Sequence, residues 1–180
     1  MKRILFITAA IFMALLSVSC NKGGIFGGDP EGTITINLRN DVYYTMINDV
    51  EVSGEDGTEY SRNELFLGLN SGNNFQPYNE LEYTHGRPAP TSTAEIVSLG
   101  SVHGLGSIST EKVPAAGWSS KSAAIVGNGY ILRYTMKWKD FEANYYYGVY
   151  VEDTIVGTDG GILGYKVKYC PFTPGKGWNQ

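Results

Sequence analysis

Histidine and cysteine are scarce in this chain, with two of each in 180 residues. His85 and His103 stand in no HxxxH or HExxH spacing, and a zinc site needs three or four good nitrogen or sulfur ligands. No metal and no cofactor are therefore expected. Basic charge is also thin, at 14 Lys and Arg against 18 Asp and Glu, with no Lys/Arg cluster. Binding to nucleic acid depends on neutralising phosphates, so that partner class is excluded. No segment keeps a 3.6-residue apolar period between caps, which argues against long helices. No GxSxG elbow is present, and the glycine-rich stretches match neither a dinucleotide-binding nor a P-loop pattern.

What is present begins at the N-terminus. Lys2 and Arg3 precede an apolar run from Ile4 to Leu16, then Ser17, Val18 and Ser19 lead into Cys20. That run is too short for a helix across a ~30 Å hydrocarbon layer, which takes ~20 residues. The layout is that of a secretory signal, residues 1–19, whose cysteine becomes a lipidated N-terminus. Ser17 stands where such signals usually carry a large aliphatic residue; Leu15 and Leu16 lie just upstream. Several acyl chains, at about 0.8 kcal/mol per buried CH₂, make a stable membrane anchor. Removing residues 1–19 leaves 12 basic against 18 acidic groups, a net charge of −6. With Cys20 acylated, Cys170 has no intramolecular partner, and the expectation is a small buried hydrophobe at a strand end. Residues 20–31 are the lipidated cysteine and a Gly-rich tether; the segment after Cys20 has a reach of about 17–20 Å.

Residues 32–175 read as one β domain. Ile34, Ile36 and Leu38 alternate, as do Tyr165, Val167 and Tyr169. Tyr130, Leu132, Tyr134, Met136 and Trp138 are set against Ile131, Arg133, Thr135, Lys137 and Lys139, and a long hairpin joins them to Tyr145–Val151. Leu65–Leu69 is a short apolar run closed by the Asn70–Asn74 turn cluster, and further turn chemistry falls at Gly54–Gly57, Gly127–Gly129 and Asp159–Gly161, where Gly127 and Gly161 suit a positive φ. Phe75–Thr93 carries Pro77, Pro88 and Pro90, so it is expected to be the least regular part and to hold no central strand. The predicted fold is all-β: a single antiparallel β-sandwich or open barrel-like domain with little helix.

Several ordered segments carry a resemblance. They are Val102–Ile108 (VHGLGSI), Val113–Trp118 (VPAAGW), Gly127–Tyr130 (GNGY) and Gly160–Phe172 (GGILGYKVKYCPF), with the opening GTITINLRN and LFLGLNSGNNF. Over roughly residues 32–173 the chain resembles a family of Bacteroidales lipoproteins of unassigned function. The proline-rich middle and the Lys137–Asn144 turn look like insertions in it. The resemblance implies a β-rich, secreted, lipid-anchored domain and carries over no catalytic residue. Surface-exported lipoproteins of that bacterial group often carry acidic residues just after the cysteine, where this chain has Asn21-Lys22-Gly23-Gly24. An outer-membrane lipoprotein facing the periplasm is accordingly favoured over a surface-exposed one. Asp153-Thr154-Ile155 is similar to the short O-glycosylation acceptor of Bacteroidales, which makes Thr154 a candidate modification site.

Candidate chemistry is sparse. Glu80 with Glu82, Asp140 with Glu142 and Glu152 with Asp153 are the near carboxylate pairs. Glycoside hydrolysis needs two carboxyls about 5–9.5 Å apart with one pKa raised, and a solvated strand edge is the commoner reason for such pairs. Asp159-Gly160-Gly161 lacks the run of acids that a calcium loop needs. The conspicuous enrichment is aromatic: 13 tyrosines and 3 tryptophans. Aromatic faces stack on sugar rings, although tyrosine also favours strands for purely structural reasons. Tyr145 and Tyr147 must face one way and Tyr146 the other, so Tyr146, Trp138 and Trp118 are the candidate ligand-binding residues. The reading that follows is a non-enzymatic domain that binds glycan or another envelope ligand. The alternatives are a structural or adhesion subunit joined through strand edges and, third, a glycan-processing enzyme.

Overall fold

The computed structural model describes residues 28–53, 60–84, 91–138 and 141–178. Nine strands are formed: β1 (Ile34–Arg39), β2 (Val42–Ser53), β3 (Tyr60–Leu69), β4 (Asn74–Thr84), β5 (Thr91–Ser101), β6 (Ser122–Ala123), β7 (Asn128–Trp138), β8 (Phe141–Val156) and β9 (Ile162–Phe172). They make two antiparallel sheets, one ordered β1-β9-β8-β7-β5 and the other β2-β3-β4-β6. The sheets pack face to face without closing, so the fold is a β-sandwich and not a barrel. The one helical element among the described residues is a single 3₁₀ turn at Leu105–Ser107.

The core follows from alternation. On β7, Tyr130, Leu132, Tyr134 and Met136 are buried between the sheets, as the period-2 pattern predicts. Tyr147, Val149 and Val151 of β8 and Tyr165, Val167 and Tyr169 of β9 join them, facing Leu65, Leu67, Leu69 and Phe75 of the other sheet. Ile36 and Leu38 complete the β1 side, while Ile34, on the same alternation, lies beyond the core at 43% exposure. The tyrosines are stacked: Tyr134 meets Tyr147 edge-to-face at 5.7 Å, and Tyr130 meets Phe75 at 5.2 Å. The Tyr134 hydroxyl donates to the Phe66 carbonyl at 2.7 Å, and the Tyr130 hydroxyl donates to the Ala123 carbonyl at 2.7 Å. The Tyr147 hydroxyl is buried with no hydrogen-bond partner among the described residues, and burial pushes its pKa well up.

Two expectations need correction. The proline-bearing middle is not irregular: residues 74–84 are β4, in register with β3 from Phe75–Leu69 to Thr84–Tyr60, and Pro77 pairs with Leu67 inside it. The proline is tolerated because β6 covers only Asn74 and Phe75, leaving β4 an edge strand for most of its length. Pro88 and Pro90 lie outside the described residues. At the β8–β9 turn, the positive φ expected at Gly161 falls instead on Gly160 (φ 80°), whereas Gly127 adopts it as expected (φ 82°).

The chain enters beside β9. Lys168 bridges Asp29 at 2.8 Å and Glu152 at 2.7 Å, and Lys166 bridges Glu152 at 2.8 Å. β1 then runs to a corner at Asn40–Asp41, where the Asn40 amide donates to the Leu163 carbonyl and that of Asp41 to the Leu69 carbonyl. The turns after β1, β3 and β8 thus gather at the end of the sandwich away from the point of chain entry.

Tyr134→Phe should lower stability by about 1 kcal/mol in urea unfolding, because it removes a hydrogen bond at the centre of the core. Tyr147→Phe should cost less than that or be stabilising; an equal loss in both would contradict the assignment. Hydrogen bonds from Lys166 and then Lys168 hold the Glu152 carboxyl below the usual range. Its contribution is therefore full above the unfolded carboxyl's range and is lost as pH falls through the folded value. The difference in Tm between wild type and Glu152→Gln should shrink on acidification; a difference that grows in acid would refute the ion-pair account.

Candidate ligand-binding surfaces

The alternation that sends tyrosines inward on β7, β8 and β9 sends another set outward. On the outer face of the five-stranded sheet these are Glu95, Val97, Ile131, Arg133, Thr135, Tyr146, Tyr150, Cys170 and Phe172. Much of this face is not open. The 102–121 segment and residues 173–178 fold over it, and Val97, Leu105, Ile108, Ile131, Cys170 and Phe172 form a second buried cluster. Trp178 packs edge-to-face on Phe172 at 5.2 Å and lies over Gly148, where any Cβ would collide with the indole. Cys170 is 1% exposed and burial raises its thiol pKa, as befits an inert hydrophobe.

Trp118 and Tyr146 are brought to this face together. Arg133 is the register partner of both Glu95 and Tyr146. Its guanidinium sits 4.1 Å from the centroid of the Trp118 ring and donates to Glu95 Oε2 from Nε (3.1 Å) and Nη2 (2.6 Å). The Trp118 Nε1 donates to the Pro114 carbonyl at 3.0 Å, and Tyr146 leans on Phe172 at 5.9 Å. One face of Trp118 and its single donor are thus already engaged, and both residues help close the second cluster. Trp138 does not join them within the described structure: it ends β7 opposite Phe141, and its side chain lies outside the described residues.

The remaining candidates are dispersed. Cys20, His85 and Asp140 lie outside the described residues, as do the side chains of Glu80 and Glu82. Glu152 and Asp153 are separated by a β-bulge; Glu152 goes to its lysines, while Asp153 Oδ1 accepts the Thr154 amide at 2.7 Å. A carboxyl held low by two lysines is the opposite of a general acid with a raised pKa. Glu142 accepts from Asn144 at 3.2 Å. Thr154 is half-buried opposite Tyr165. Asp159 Oδ1 accepts the Gly161 amide at 3.0 Å, and His103 is exposed. Among the described residues no three His, Cys, Asp or Glu side chains converge.

The surface that sequence reasoning missed is the outer face of the four-stranded sheet. Leu65, Leu67 and Leu69 point inward, which turns Phe66 and Gly68 outward. Register then aligns Tyr43 with Gly68 and Gln76, and Thr45 with Phe66 and Tyr78. Tyr43 is 51% exposed and Tyr78 is 48% exposed. Their rings meet edge-to-face at 5.9 Å, and Tyr78 lies 6.0 Å from the half-buried Phe66. Tyr43 leans over Gly68, where a side chain would occupy its place. Three aromatic rings from three strands thus form one row that reaches solvent. The signal was present in the split of Tyr43 from Tyr44 and in the LFLGL alternation, but Tyr78 was hidden beside a proline.

Cys170 should resist alkylation by iodoacetamide in the native state and react on unfolding; rapid native labelling would overturn its burial. Trp118→Ala should lower Tm without exposing new aggregation if its role is to seal the second cluster with Arg133. An unchanged Tm would remove that role.

No family model, curated protein or solved structure matches this chain. The chemistry of its two outer faces carries the functional conclusion.

Proposed function

We propose that this protein is a cell-envelope lipoprotein of the Bacteroidales kind, anchored in the outer membrane through Cys20 and facing the periplasm, whose β-sandwich binds glycan without transforming it. The observation that carries the reading is the exposed row of Tyr43, Phe66 and Tyr78 across β2, β3 and β4. Half-exposed rings held by a rigid sheet present apolar faces at low entropic cost, and the hydroxyls of Tyr43 and Tyr78 supply donors and acceptors beside them. The row starts near the Asn40–Asp41 corner, away from the lysine-clamped point where the tether meets the domain.

Association through strand edges fits less well. Pro77 interrupts the β4 edge, Ser119 bridges Ile96 on the outer side of β5, and β2 carries two register shifts. These are the devices by which sheets blunt their edges. The Trp118–Arg133–Glu95–Tyr146 group is a second surface of mixed polarity, and an envelope protein is the partner class that suits it.

Cys20→Ser should abolish incorporation of a palmitate analogue and release the protein from the membrane fraction; retained label would sink the anchor. Protease added to intact cells should leave the domain whole, and its rapid loss would place the domain on the cell surface. On a broad glycan panel Tyr43→Ala and Tyr78→Ala should each weaken retention about tenfold, a loss of about 1.4 kcal/mol. Tyr146→Ala, Trp118→Ala and Trp138→Ala form the comparison set. A loss confined to that set would move the site to the other sheet.

A further inference from the structure

We infer that the ligand of the Tyr43–Phe66–Tyr78 row is an uncharged polysaccharide, gripped along its length rather than at a chain end; this rests on the glycan reading above. The charge pattern of the face is the first support. Its described side chains, Tyr43, Thr45, Phe66, Gln76 and Tyr78, carry no charge. An anionic polymer laid across the row would meet a protein of net negative charge, with no basic partner among those five side chains to offset it. A neutral polyol meets no such cost.

Shape is the second support. Recognition of a chain end is best served by a concave site that walls in the terminal unit with converging polar groups. Here the rings stand on the outward surface of a sheet, drawn from β2, β3 and β4 in turn, so contact continues across the strands. Tyr43 and Tyr78 meet edge-to-face, offering two ring planes inclined by 61°. A chain of sugars that twists from one unit to the next can place successive faces on two inclined planes, which a single sugar cannot do. Gly68 sets the arrangement: without a Cβ it lets the Tyr43 ring lean towards β3, where it can reach Tyr78.

The test is affinity electrophoresis of the full-length processed protein in neutral detergent. Gels contain a soluble neutral glucan, mannan or xylan, or else alginate, at low and at high salt. Retardation by at least one neutral polymer is expected, unchanged by salt and not competed by its monosaccharide. Tyr43→Ala and Tyr78→Ala should each lose about tenfold in apparent affinity. Gly68→Val, which keeps both tyrosines but displaces one ring, should lose as much, while Tyr146→Ala should be unaffected. Circular dichroism and Tm confirm that each variant is folded. Preferential retardation by alginate that fades with salt would overturn the inference while leaving the glycan reading intact. Full competition by monosaccharide would likewise overturn binding along the chain. Failure of every polymer to retard the protein would overturn the glycan reading itself.

Discussion

The antiparallel register of β7, β8 and β9 is the constraint on which the rest of this molecule depends. It sets Tyr130, Tyr134, Tyr147 and Tyr169 on one face of the central sheet, ring against ring, and each is almost completely buried. A one-residue slip would exchange the two faces of a strand and bring Arg133, Lys166 and Lys168 into the core. Buried unpaired charge is costly, so the register is fixed by what the alternative would bury as much as by the rings themselves. Both candidate surfaces inherit their composition from this choice. Arg133 and Tyr146 are outward because their neighbours are inward, and the carbonyl that receives the Tyr134 hydroxyl belongs to Phe66, a member of the exposed row.

Tyrosine therefore does two jobs in this chain, and its abundance alone does not separate them. Among the described residues five tyrosines are buried, with Tyr165 joining the four above. Three of the others, Tyr43, Tyr44 and Tyr78, are among the exposed large hydrophobics, and Tyr44 still touches Tyr169 at 6.1 Å. The exposed tyrosines among the described residues lie on β2 and β4 alone, the two strands that flank β3 in the sheet.

The central strands were readable in the sequence because their signal is local. Strict alternation in Tyr130–Met136 and in Tyr165–Tyr169 predicts the buried faces residue by residue, and the all-β sandwich follows. The roof over Ile131 was not readable, because Leu105, Ile108 and Trp118 sit in segments without periodicity, and Trp178 meets Gly148 only through tertiary packing. β4 was misjudged because proline excludes a central strand but not an edge, and which strand lies at the edge is a property of topology. The aromatic row needed three strands in register to come together, so Tyr43 and Tyr78 could not be paired in advance. Alternation turns Tyr146 away from the main core, and Trp118 stands beside it at the second cluster, where Arg133, Pro114 and Phe172 already engage the two.

The central claim is that ligand contacts the outer face of β2–β4 through Tyr43 and Tyr78. Hydroxyl-radical footprinting of the processed protein, with and without saturating neutral polysaccharide, tests it most directly because each aromatic side chain reports its own solvent contact. The account predicts strong protection of Tyr43 and Tyr78 and unchanged oxidation of Tyr146 and Trp118. Protection of Tyr146 and Trp118 with Tyr43 and Tyr78 unaltered would contradict it.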